Sequence, residues 1–497
     1  MIKISHLTVT THKGRKLIDD FSYVINKGEK IALIGEEGNG KSTLLKIVAG
    51  IDVSDYVEVK GSIETRDHVS YLPQRLPEED LGREVFEYLL EGREYEAVAS
   101  AQRRMGVDLS PYEGRKIETL SGGERVKVAL ARVLSSGPDI LLLDEPTNNL
   151  DLSTLIWLEE FIRNSDLGIL FISHDETLLK NCAEGIIHLE QLKRKVEPHI
   201  TVSGEGYEDY QKRRRGNIDK TNQVARKEKA ELNKQLERYR QIYQKVEHRM
   251  ATISRGDPHG GQLLKKKMKS LKAQGRKLDE KDENRTKKYE PEEAINIFFP
   301  EISLNPSKVI IRMENEELSV DGVVLAKDIS LHIEGKDKVC LIGENGTGKT
   351  TLLKKILSIL QEREDLHVGY MPQNYEEVLD MTKSPVDHLM AVSDKTTASN
   401  LLGSLKFTSE EMTHAMRDLS EGQKCKILLA SLILQGSEVL VLDEPTRNLS
   451  PLSGPELRGM LEEYKGCIIA VSHDRLFIDE VAKTVYELTK EGLRKID

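Results

Sequence analysis

The sequence predicts an α/β fold in which one domain occurs twice and a long helical segment joins the two copies. Two observations predict the doubled domain: five short motifs recur in the same order in each half of the chain, and continuous apolar runs accompany them. A third predicts the joining segment, because the middle of the chain has a helical repeat and a different charge. At 497 residues the chain is long enough for several domains.

The internal repeat sets the order of the domains. The first copy contains GEEGNGKST (35–43), YLPQ (71–74), LSGGE (120–124), ILLLDEPTNNLD (140–151) and ISHD (172–175). The second contains GENGTGKTT (343–351), YMPQ (370–373), LSEGQ (419–423), VLVLDEPTRNLS (439–450) and VSHD (471–474). The interval from Gln74 to Leu120 equals that from Gln373 to Leu419, at 46 residues each. We therefore predict one domain over 1–205, a linker over 206–300 and a second domain over 301–497.

Each copy is predicted to contain a parallel sheet. The runs ILLLD, VLVLD, GILFIS and CIIAVS are apolar without alternation and are bounded by polar turns. Such runs are typical of strands that are buried on both faces. The short runs Lys30–Ile34 and Lys338–Ile342 also predict strands, and each leads into a Gly-rich turn and then a helical stretch.

The middle segment has a heptad repeat of apolar residues. A break at residues 255–261, which read RGDPHGG, divides it into two parts. The heptad positions are Leu232, Leu236, Tyr239, Tyr243, Val246, Met250 and Ile253 before the break, and Leu264, Met268, Leu271, Gly275 and Leu278 after it. This pattern predicts an antiparallel coiled-coil hairpin, with its first helix from about Tyr207 to Ile253 and its tip at about 253–262.

Charge and composition narrow the class of protein. The formal net charge is −10, but residues 211–290 carry 25 Lys and Arg against 11 Asp and Glu, while the rest carries 48 against 72. A basic helical element of this kind favours a nucleic-acid partner. There is no apolar run long enough to span a bilayer and no apolar core of a signal peptide in MIKISHLTVTTHK. The four cysteines form no CxxC pair, so we expect a cytoplasmic protein.

The motif GxxxxGK[ST] occurs once in each copy, between a predicted strand and a predicted helix. Its glycines allow backbone N–H groups to approach phosphate oxygens at a helix N-terminus. Lys41 and Lys349 would neutralise the β- and γ-phosphates, and Ser42 and Thr350 would bind Mg²⁺. The remaining predicted nucleotide contacts are Gly35, Gly38, Gly40 and Thr43 in the first copy, and Gly343, Gly346, Gly348 and Thr351 in the second.

Acidic residues follow the apolar strands at matching positions. Asp144 and Asp443 end their strands, where a carboxylate can reach the metal through its water shell, and Glu145 and Glu444 come next. We expect these glutamates to polarise the attacking water. The alternative interpretation of such an acidic pair is a helix N-cap.

Histidine and glutamine complete the predicted shell. His174 and His473 follow the next strand, each 30 residues after the aspartate of its copy, and could contact the γ-phosphate. Gln74 and Gln373 could complete the Mg²⁺ and water shell. Alone, either residue type would usually be an ordinary polar residue, and the repeated spacing is what favours the functional interpretation.

The LSGGE and LSEGQ motifs predict a second anion site in each copy. A serine with the backbone amides of a helix start can bind an anion, but the P-loop of the same copy already has its own phosphate contacts. The arrangement makes sense if the copies face each other, so that Ser121 or Ser420 caps the nucleotide held by the other copy.

These motifs together resemble the ATP-binding cassette (ABC) superfamily over about 400 residues. Two cassettes joined by a charged helical hairpin, with no membrane span, resemble its ABC-F subfamily. The resemblance implies two tandem P-loop ATPase domains, Mg²⁺-dependent ATP hydrolysis, and two composite sites at an intramolecular cassette dimer. In the implied dimer, Ser420 and Gly422 face the first site, which consists of Lys41, Ser42, Gln74, Asp144, Glu145 and His174. Ser121, Gly122 and Gly123 face the second site, which consists of Lys349, Thr350, Gln373, Asp443, Glu444 and His473.

The second acidic motif, DEPTRNLSPLSGP, resembles the Vga/Lsa/Vml group of antibiotic-resistance proteins within ABC-F. That resemblance implies binding to the bacterial 70S ribosome near the tRNA exit site, with the linker contacting 23S rRNA and P-site tRNA. It also implies displacement of lincosamides, pleuromutilins and streptogramin A from the peptidyl-transferase centre. The basic linker supports the RNA contacts independently, because its charge would release counterions from phosphates.

Several departures and alternatives stay open. Ser450 stands in place of the D-loop aspartate, Glu421 in place of a signature glycine, and Gln423 in place of a glutamate. An aromatic residue for adenine is not evident: His12 is a candidate in the first copy and none occurs near Val320. The alternative functions are a housekeeping ABC-F translation factor, the ATPase subunit of a membrane transporter, and a DNA-repair ATPase.

Overall fold

A computed structural model describes residues 1–496 except 149, 193–196, 253–257, 290–298, 303 and 321. The chain divides into two compact units. One unit, which we call the cassette body, contains Met1–Tyr207 and Glu292–Asp497 and so includes both copies of the repeat. The other, which we call the linker unit, contains Glu208–Pro291.

The first copy alternates strands and helices. Its elements are β1 (Ile2–Thr11), β2 (Lys16–Ile25), β3 (Lys30–Ile34), α1 (Lys41–Val48), β4 (Val57–Thr65), β5 (Val69–Leu72), α2 (Glu78–Leu81), α3 (Val85–Leu90), α4 (Tyr95–Met105), α5 (Gly122–Leu134), β6 (Ile140–Asp144), α6 (Leu152–Asn164), β7 (Gly168–Ile172), α7 (Glu176–Cys182), β8 (Gly185–Gln191) and β9 (Glu197–Ser203). Two helices follow, α8 (Tyr207–Thr252) and α9 (Pro258–Asn284).

The second copy repeats this order without counterparts of β4 and α2. Its elements are β10 (Val309–Val320), β11 (Val323–Glu334), β12 (Lys338–Ile342), α10 (Lys349–Gln361), β13 (Val368–Met371), α11 (Pro385–Leu389), α12 (Lys395–Ser404), α13 (Glu421–Leu434), β14 (Val439–Asp443), α14 (Gly454–Glu463), β15 (Cys467–Val471), α15 (Arg475–Glu480), β16 (Thr484–Thr489) and β17 (Gly492–Ile496).

Each copy contains a six-stranded sheet with the same topology. The strand orders are β5-β6-β7-β3-β8-β9 and β13-β14-β15-β12-β16-β17. All neighbouring pairs are parallel except the last pair in each sheet, which is antiparallel. The doubled α/β fold that the motifs predict is therefore confirmed. Because the carboxyl ends of parallel strands share one edge, the residues after β3, β6 and β7 meet there.

The predicted apolar runs form the centres of the two sheets. Every residue of β6, β7, β14 and β15 is buried. Helices cover both faces of such a sheet, so its strands expose no side to water and need no polar residues. This arrangement confirms that unbroken apolar runs, rather than alternating ones, mark the central strands here.

A buried lysine begins the P-loop strand in each copy. The Nζ of Lys30 donates to the carbonyl oxygens of Gly28, Ser165 and Leu167 at 2.8–3.0 Å, and that of Lys338 donates to the carbonyls of Leu461 and Glu462. The carbonyls of Ser165 and Leu167 lie just beyond the C-terminal end of α6, and those of Leu461 and Glu462 lie in the last turn of α14, where helix carbonyls lack partners of their own. Burial lowers the pKa of Lys338 to about 8.

Two long helices form most of the linker unit. Leu232 and Val246 of α8 and Leu271 and Leu278 of α9 are buried, and the other heptad positions are half-buried wherever the structure describes their burial. Lys281 Nζ lies 3.4 Å from Glu231 Oε1, and a Cβ on Gly275 would meet the Tyr239 hydroxyl at 2.7 Å. Since residue numbers rise in one helix as they fall in the other, the helices run antiparallel.

The predicted tip at about 253–262 overlaps the start of α9. This helix begins at Pro258 and includes Gly260 and Gly261, which the sequence analysis assigned to the turn. Proline is favoured at the first helical position because it donates no backbone hydrogen bond there. Residues 253–257, which carry Ile253 and Arg255, lie outside the described residues. Among the helices that the structure describes, none has the length and apolar character needed to cross a bilayer.

Candidate active sites

The two P-loops have the same backbone conformation. Gly35, Gly38 and Gly40 have φ values of 146, 78 and 90°, and the corresponding second-copy glycines, Gly343, Gly346 and Gly348, have 147, 83 and 95°. These positive values favour glycine. A Cβ on Gly35 would also lie 2.2 Å from the carbonyl oxygen of Leu189, and one on Gly343 would lie 2.6 Å from that of Leu488. The motif glycines are therefore required by the loop geometry.

The P-loop lysines lie over their own loops. Lys41 Nζ donates to the carbonyl oxygens of Gly35 and Glu36 at 2.8 and 3.0 Å. Lys349 Nζ makes the same two contacts with Gly343 and Glu344, at 2.8 Å each. Each lysine also begins its helix, so its ammonium and the helix N-terminus place positive potential at one point. This is the arrangement that a polyphosphate requires.

In the first copy, the predicted metal and water ligands contact one another. Ser42 Oγ donates to Asp144 Oδ1 at 2.9 Å, and the Tyr71 hydroxyl donates to Asp144 Oδ2 at 2.8 Å. Gln74 Nε2 donates to Glu145 Oε2 at 2.7 Å. Thr43 follows in the first turn of α1. The structure thus brings together side chains from the P-loop, the end of β6 and the loop after β5.

His174 links Glu145 to the other copy. Its Nε2 lies 3.1 Å from Glu145 Oε1, and its Nδ1 lies 2.6 Å from the carbonyl oxygen of Leu449 in the second copy. Each ring nitrogen of His174 therefore has a hydrogen-bonding oxygen beside it, one from each copy. The position of the first copy's glutamate is therefore coupled to the second copy's D-loop.

The second copy holds its catalytic candidates more loosely. His473 Nε2 lies 3.6 Å from Glu444 Oε1, and its backbone amide donates to Glu444 Oε2 at 3.2 Å. Both carboxylate oxygens of Asp443 are buried and have no hydrogen-bond partner among the described residues. A buried carboxylate without a partner is costly, so these oxygens require a ligand that completes the site.

The two glutamates differ in their electrostatic environment. Burial would raise the pKa of Glu145, but the hydrogen bond from His174 and the charges of His174 and Lys41 hold that pKa at about 2. Burial raises the pKa of Glu444 to about 8, and burial together with the charge of Lys349 lowers the pKa of His473 to about 4. The pKa of Glu145 is therefore held low while that of Glu444 is raised, so the sites are inequivalent.

A cavity of about 780 Å³ lies between the copies at the second P-loop. Gly122 of the first signature motif and Asn148 and His174 of the first copy line it. From the second copy it is lined by the predicted residues Gly346, Gly348, Lys349, Thr350, Thr351, Gln373, Asp443, Glu444 and His473. Its size suits a small organic ligand, and both copies contribute to it, as the head-to-tail pairing of signature and P-loop predicts.

The signature serines begin their helices. Ser121 and Ser420 each form a capping box, accepting from the backbone amide of Glu124 and of Gln423 respectively. Gln423 keeps the side-chain half of this box, because its Oε1 accepts from the Ser420 amide. Gly123 packs against Thr154, where a Cβ would lie 2.5 Å from the hydroxyl. The replacement of glutamate by Gln423 therefore leaves the helix start intact.

Comparison with known proteins identifies the family. A family model described as ABC transporter matches residues 18–148 and 326–447. The ATP-binding protein Uup of Buchnera aphidicola is 30% identical over 98% of this chain and 80% of its own length, and Uup of Escherichia coli is 30% identical over 93% and 76%. ATP-binding cassette sub-family F member 2 of Mus musculus is 27% identical over 99% and 81%.

The chain belongs to the ABC family, and within it to ABC-F. It is an ATPase that uses ATP and Mg²⁺. A solved complex of archaeal ribosomal stalk protein aP1 with the ribosome recycling factor aABCE1 has the same fold, with a TM-score of 0.61 at 18% identity over 95% of this chain and 87% of that chain. The RNase-L inhibitor structure gives 0.59 at 18% identity over 95% and 86%.

The residues present fit Mg²⁺ and ATP. The unpaired Asp443 oxygens and the Thr350 hydroxyl at the cavity wall supply the kind of oxygen donors that Mg²⁺ takes beside phosphates. Val320, Val323 and Leu325 give the cavity an aliphatic wall. His12, the candidate for adenine in the first copy, lines a different cavity at the far end of α1 from the P-loop, together with Ile47 and Gly50.

The first P-loop of this ABC-F protein contacts the second signature motif directly. The backbone amide of Gly422 donates to Glu37 Oε2 at 2.9 Å. The Glu37 carboxylate thus accepts a hydrogen bond from a backbone amide that, according to the resemblance, faces the nucleotide held by the other copy. This contact supports the predicted anion-binding role of the signature, since the amide already binds an anionic group. Glu421 instead pairs with Lys424 at 2.7 Å on its own helix.

Sequence analysis missed the charged residues that join the cassettes. Arg458 is 3% exposed, and its Nη1 donates to Glu176 Oε1 of the first cassette at 2.7 Å. Arg475 Nη1 donates to Glu159 Oε2 at 2.8 Å. It also missed Arg447, which lines the cavity and occupies the sequence position that Asn148 has in the first cassette. No local motif marks these residues, and only a position-by-position comparison of the copies singles out Arg447.

We expect Arg458→Met to lower the free energy of unfolding of the cassette body by about 3–5 kcal/mol, because Glu176 would keep a buried charge without its cation. Adding Glu176→Gln should recover much of the loss. Urea unfolding followed by the fluorescence of Trp157, the single tryptophan, measures both.

Arg312→Met is the matched control. Arg312 pairs with Glu314, but both side chains are about two-thirds exposed, so the loss should stay within about 1 kcal/mol. Equal losses in Arg458→Met and Arg312→Met would contradict the assigned role of the buried pair.

Proposed function

We propose that this ABC-F ATPase is a cytoplasmic protein that binds the bacterial 70S ribosome near the tRNA exit site. In this proposal the linker contacts 23S rRNA and P-site tRNA, and one chain acts alone through its two cassettes. The observation that carries it is the placement of charge. Residues 211–290 have 14 more basic than acidic residues, whereas the rest of the chain has 24 more acidic than basic ones.

The surface of the linker unit supports RNA as its partner. The rings of Tyr239 and Tyr243 lie 5.8 Å apart between their centroids, beside Arg240, Lys272 and Arg276. Aromatic rings next to cations are the usual means of contacting unpaired bases and phosphates together. The basic side chains Lys265, Lys266, Lys267 and Lys269 are exposed on α9. A solvated helical face with no partner is the competing interpretation of this charge.

We further propose that α8 and α9 form an antiparallel coiled-coil hairpin. The heptad positions are the buried or half-buried ones, and the positions between them are mostly exposed. At 46 residues, α8 is about 70 Å long. A helix of that length is longer than a simple connection between domains needs.

The proposed catalytic roles follow the contacts of each composite site. Glu145 and Glu444 would polarise the attacking water, and His174 and His473 would hold these glutamates and contact the γ-phosphate. Mg²⁺ would be held by Ser42, Asp144 and Gln74 in the first site and by Thr350, Asp443 and Gln373 in the second. Bound Mg²⁺ would neutralise the phosphate charge that develops during hydrolysis. Ser121 with Gly122 and Gly123, and Ser420 with Gly422, would close on the facing nucleotide.

Relatives of the same fold support a role in translation. The structurally similar aABCE1 is described as an archaeal ribosome recycling factor. The related structure of Pelota with ABCE1 is described as ribosome-bound. Both descriptions connect these relatives with the ribosome. The basic linker is the feature of this chain that supports the same partner. A general translation factor without drug specificity is the function that the Uup and sub-family F relatives favour.

The finer proposal is protection from antibiotics. The sequence DEPTRNLS, with Ser450 at the D-loop, supports it through its likeness to the Vga/Lsa/Vml group. The linker tip would then displace lincosamides, pleuromutilins or streptogramin A from the peptidyl-transferase centre. Residues 255–261 include no large aromatic side chain, so we favour a rearrangement of rRNA over direct contact with the drug.

Replacing both glutamates, Glu145→Gln with Glu444→Gln, should leave ATP binding intact and reduce ATP hydrolysis at least about a hundredfold. The variant should remain on 70S ribosomes in a sedimentation assay with ATP, because the cassettes stay closed. The exposed pair Glu160→Gln with Glu463→Gln is the control and should hydrolyse at the parent rate. Parent-rate hydrolysis by the first variant would show that the glutamates are wrongly assigned. Closed variants that never sediment with ribosomes would refute the proposed partner.

Replacing Lys265, Lys266, Lys267 and Lys269 with Gln should weaken ribosome binding at least about tenfold and flatten its dependence on salt. ATP hydrolysis without ribosomes should not change, because these residues lie in the linker unit. The control replaces four exposed lysines of the cassette body, Lys13, Lys60, Lys336 and Lys490. If both sets weaken binding equally, the linker charge has no specific role.

Shortening residues 255–261 should abolish drug protection while most ATPase activity remains. Inhibitory concentrations of several ribosome-targeting drug classes, measured in a sensitive host that lacks its own copy, test this directly. Loss of protection confined to drugs of the peptidyl-transferase centre would support the finer proposal. Protection that survives the deletion would exclude the tip, and no protection by the full chain would favour the general translation factor.

A further inference from the structure

One P-loop residue of the first cassette holds the D-loop of the second. Glu36 Oε1 accepts hydrogen bonds from the hydroxyls of Ser450 and Ser453, the latter at 2.8 Å. Lys426 Nζ lies 3.8 Å from Glu36 Oε2. Ser450, Ser453 and Lys426 are buried, and the Glu36 side chain is 16% exposed. Three groups from one cassette thus converge on one carboxylate of the other.

The corresponding residues of the other composite site make different contacts. Asp151 occupies the position of Ser450, and its Oδ1 accepts from the Ser153 hydroxyl and the Thr154 amide, at 2.9 Å each, within its own cassette. Lys127 occupies the position of Lys426 and lies over the ring of Trp157, 5.4 Å from its centroid. These contacts join neither residue to Glu344, the counterpart of Glu36, although the charge of Asp151 reaches the second P-loop and raises the pKa of Lys349 against the effect of burial.

The change from aspartate to serine alters the local backbone. Asp151 caps α6, which begins at the next residue, Leu152. After Ser450 the helix α14 begins only at Gly454, and it has no side-chain cap. The segment from Ser450 to Ser453 instead forms a turn in which the Ser453 amide donates to Ser450 Oγ. This turn presents two hydroxyls to Glu36, which a helix beginning directly after residue 450 would not do.

An aspartate at 450 would place a second carboxylate beside Glu36 in the contact that Ser450 now makes. Two carboxylates within hydrogen-bond distance in a mostly buried site repel each other strongly. A serine donates to the carboxylate and carries no charge. The loss of the D-loop aspartate in this chain is therefore compensated by a contact that the sequence analysis could not see.

We propose that Glu36 and Ser450 are a matched positioning pair that, with Ser453 and Lys426, latches the second cassette onto the first P-loop. The latch holds the composite site at the first P-loop closed more tightly than the site at the second P-loop. It therefore determines which end of the cassette dimer opens first to admit or release a nucleotide.

Hydrogen–deuterium exchange of residues 448–454 in the nucleotide-free full chain tests the latch. Ser450→Asp should raise exchange in this segment at least about tenfold, because it adds a carboxylate beside Glu36. Ser450→Ala and Glu36→Gln should each raise it several-fold. In the double variant Glu36→Gln with Ser450→Asp, the glutamine amide can donate to the aspartate, so exchange should return toward the parent value.

Release of labelled ATP from the full chain provides the second measurement. Ser450→Asp should speed the slower of the two release phases, and the compensating double variant should slow it again. Asp151→Ser and Glu344→Gln are the matched controls at the other site, and neither should alter exchange at 448–454. If Ser450→Asp does not fold, a double-mutant cycle of Ser450→Ala and Glu36→Gln replaces it. The effects of these two substitutions on exchange at 448–454 should then be non-additive.

The proposal fails if the effects of the substitutions at 36 and 450 simply add, because a matched pair must be coupled. It also fails if Ser450→Asp leaves exchange unchanged, or if Asp151→Ser loosens residues 448–454 equally. These outcomes do not depend on ribosome binding, so they test the latch separately from the proposed function.

Discussion

Buried charges that cross between the cassettes are the constraint on which both composite sites depend. A carboxylate or guanidinium removed from water is stable only with a partner of opposite charge or with several hydrogen bonds. Arg458 bonds to Glu176 of the first cassette as well as to Glu480 of its own, and Arg475 bonds to Glu159, so part of this pairing forms only when the cassettes lie against each other. The same juxtaposition brings Gly122 of the first signature to the cavity at the second P-loop. The interface and the sites are therefore formed by one arrangement.

The two sites share a backbone but differ in electrostatics. The P-loops match closely in φ, because both must present amides to phosphate. In contrast, the pKa of Glu145 is held low beside an imidazole that reaches Leu449, whereas burial raises the pKa of Glu444 and lowers that of His473. Duplication has preserved the geometry that binds phosphate, while the residues around the catalytic positions have diverged.

The separation of charge along the chain explains how one acidic protein can have a basic arm. Excess positive charge is confined to the linker unit, so the cassettes gain no general attraction to nucleic acid. Attraction to phosphate falls off within about 10 Å at ordinary salt. Electrostatic attraction to an anionic partner would therefore be greatest at the linker unit.

The sequence by itself determined the doubled α/β fold, the central strands and most of the candidate ligands, because these depend on local patterns. Unbroken apolar runs specify buried parallel strands, and GxxxxGK[ST] specifies a loop that glycine alone can form. The start of α9 at Pro258, where the sequence suggested a turn through Gly261, was decided by helix packing and the preference of proline for a first turn. Only the tertiary structure brought Glu36 to Ser450 and Arg458 to Glu176, since their contacts join positions hundreds of residues apart. No periodicity or motif encodes such pairs, because they arise from the facing of two separately folded surfaces.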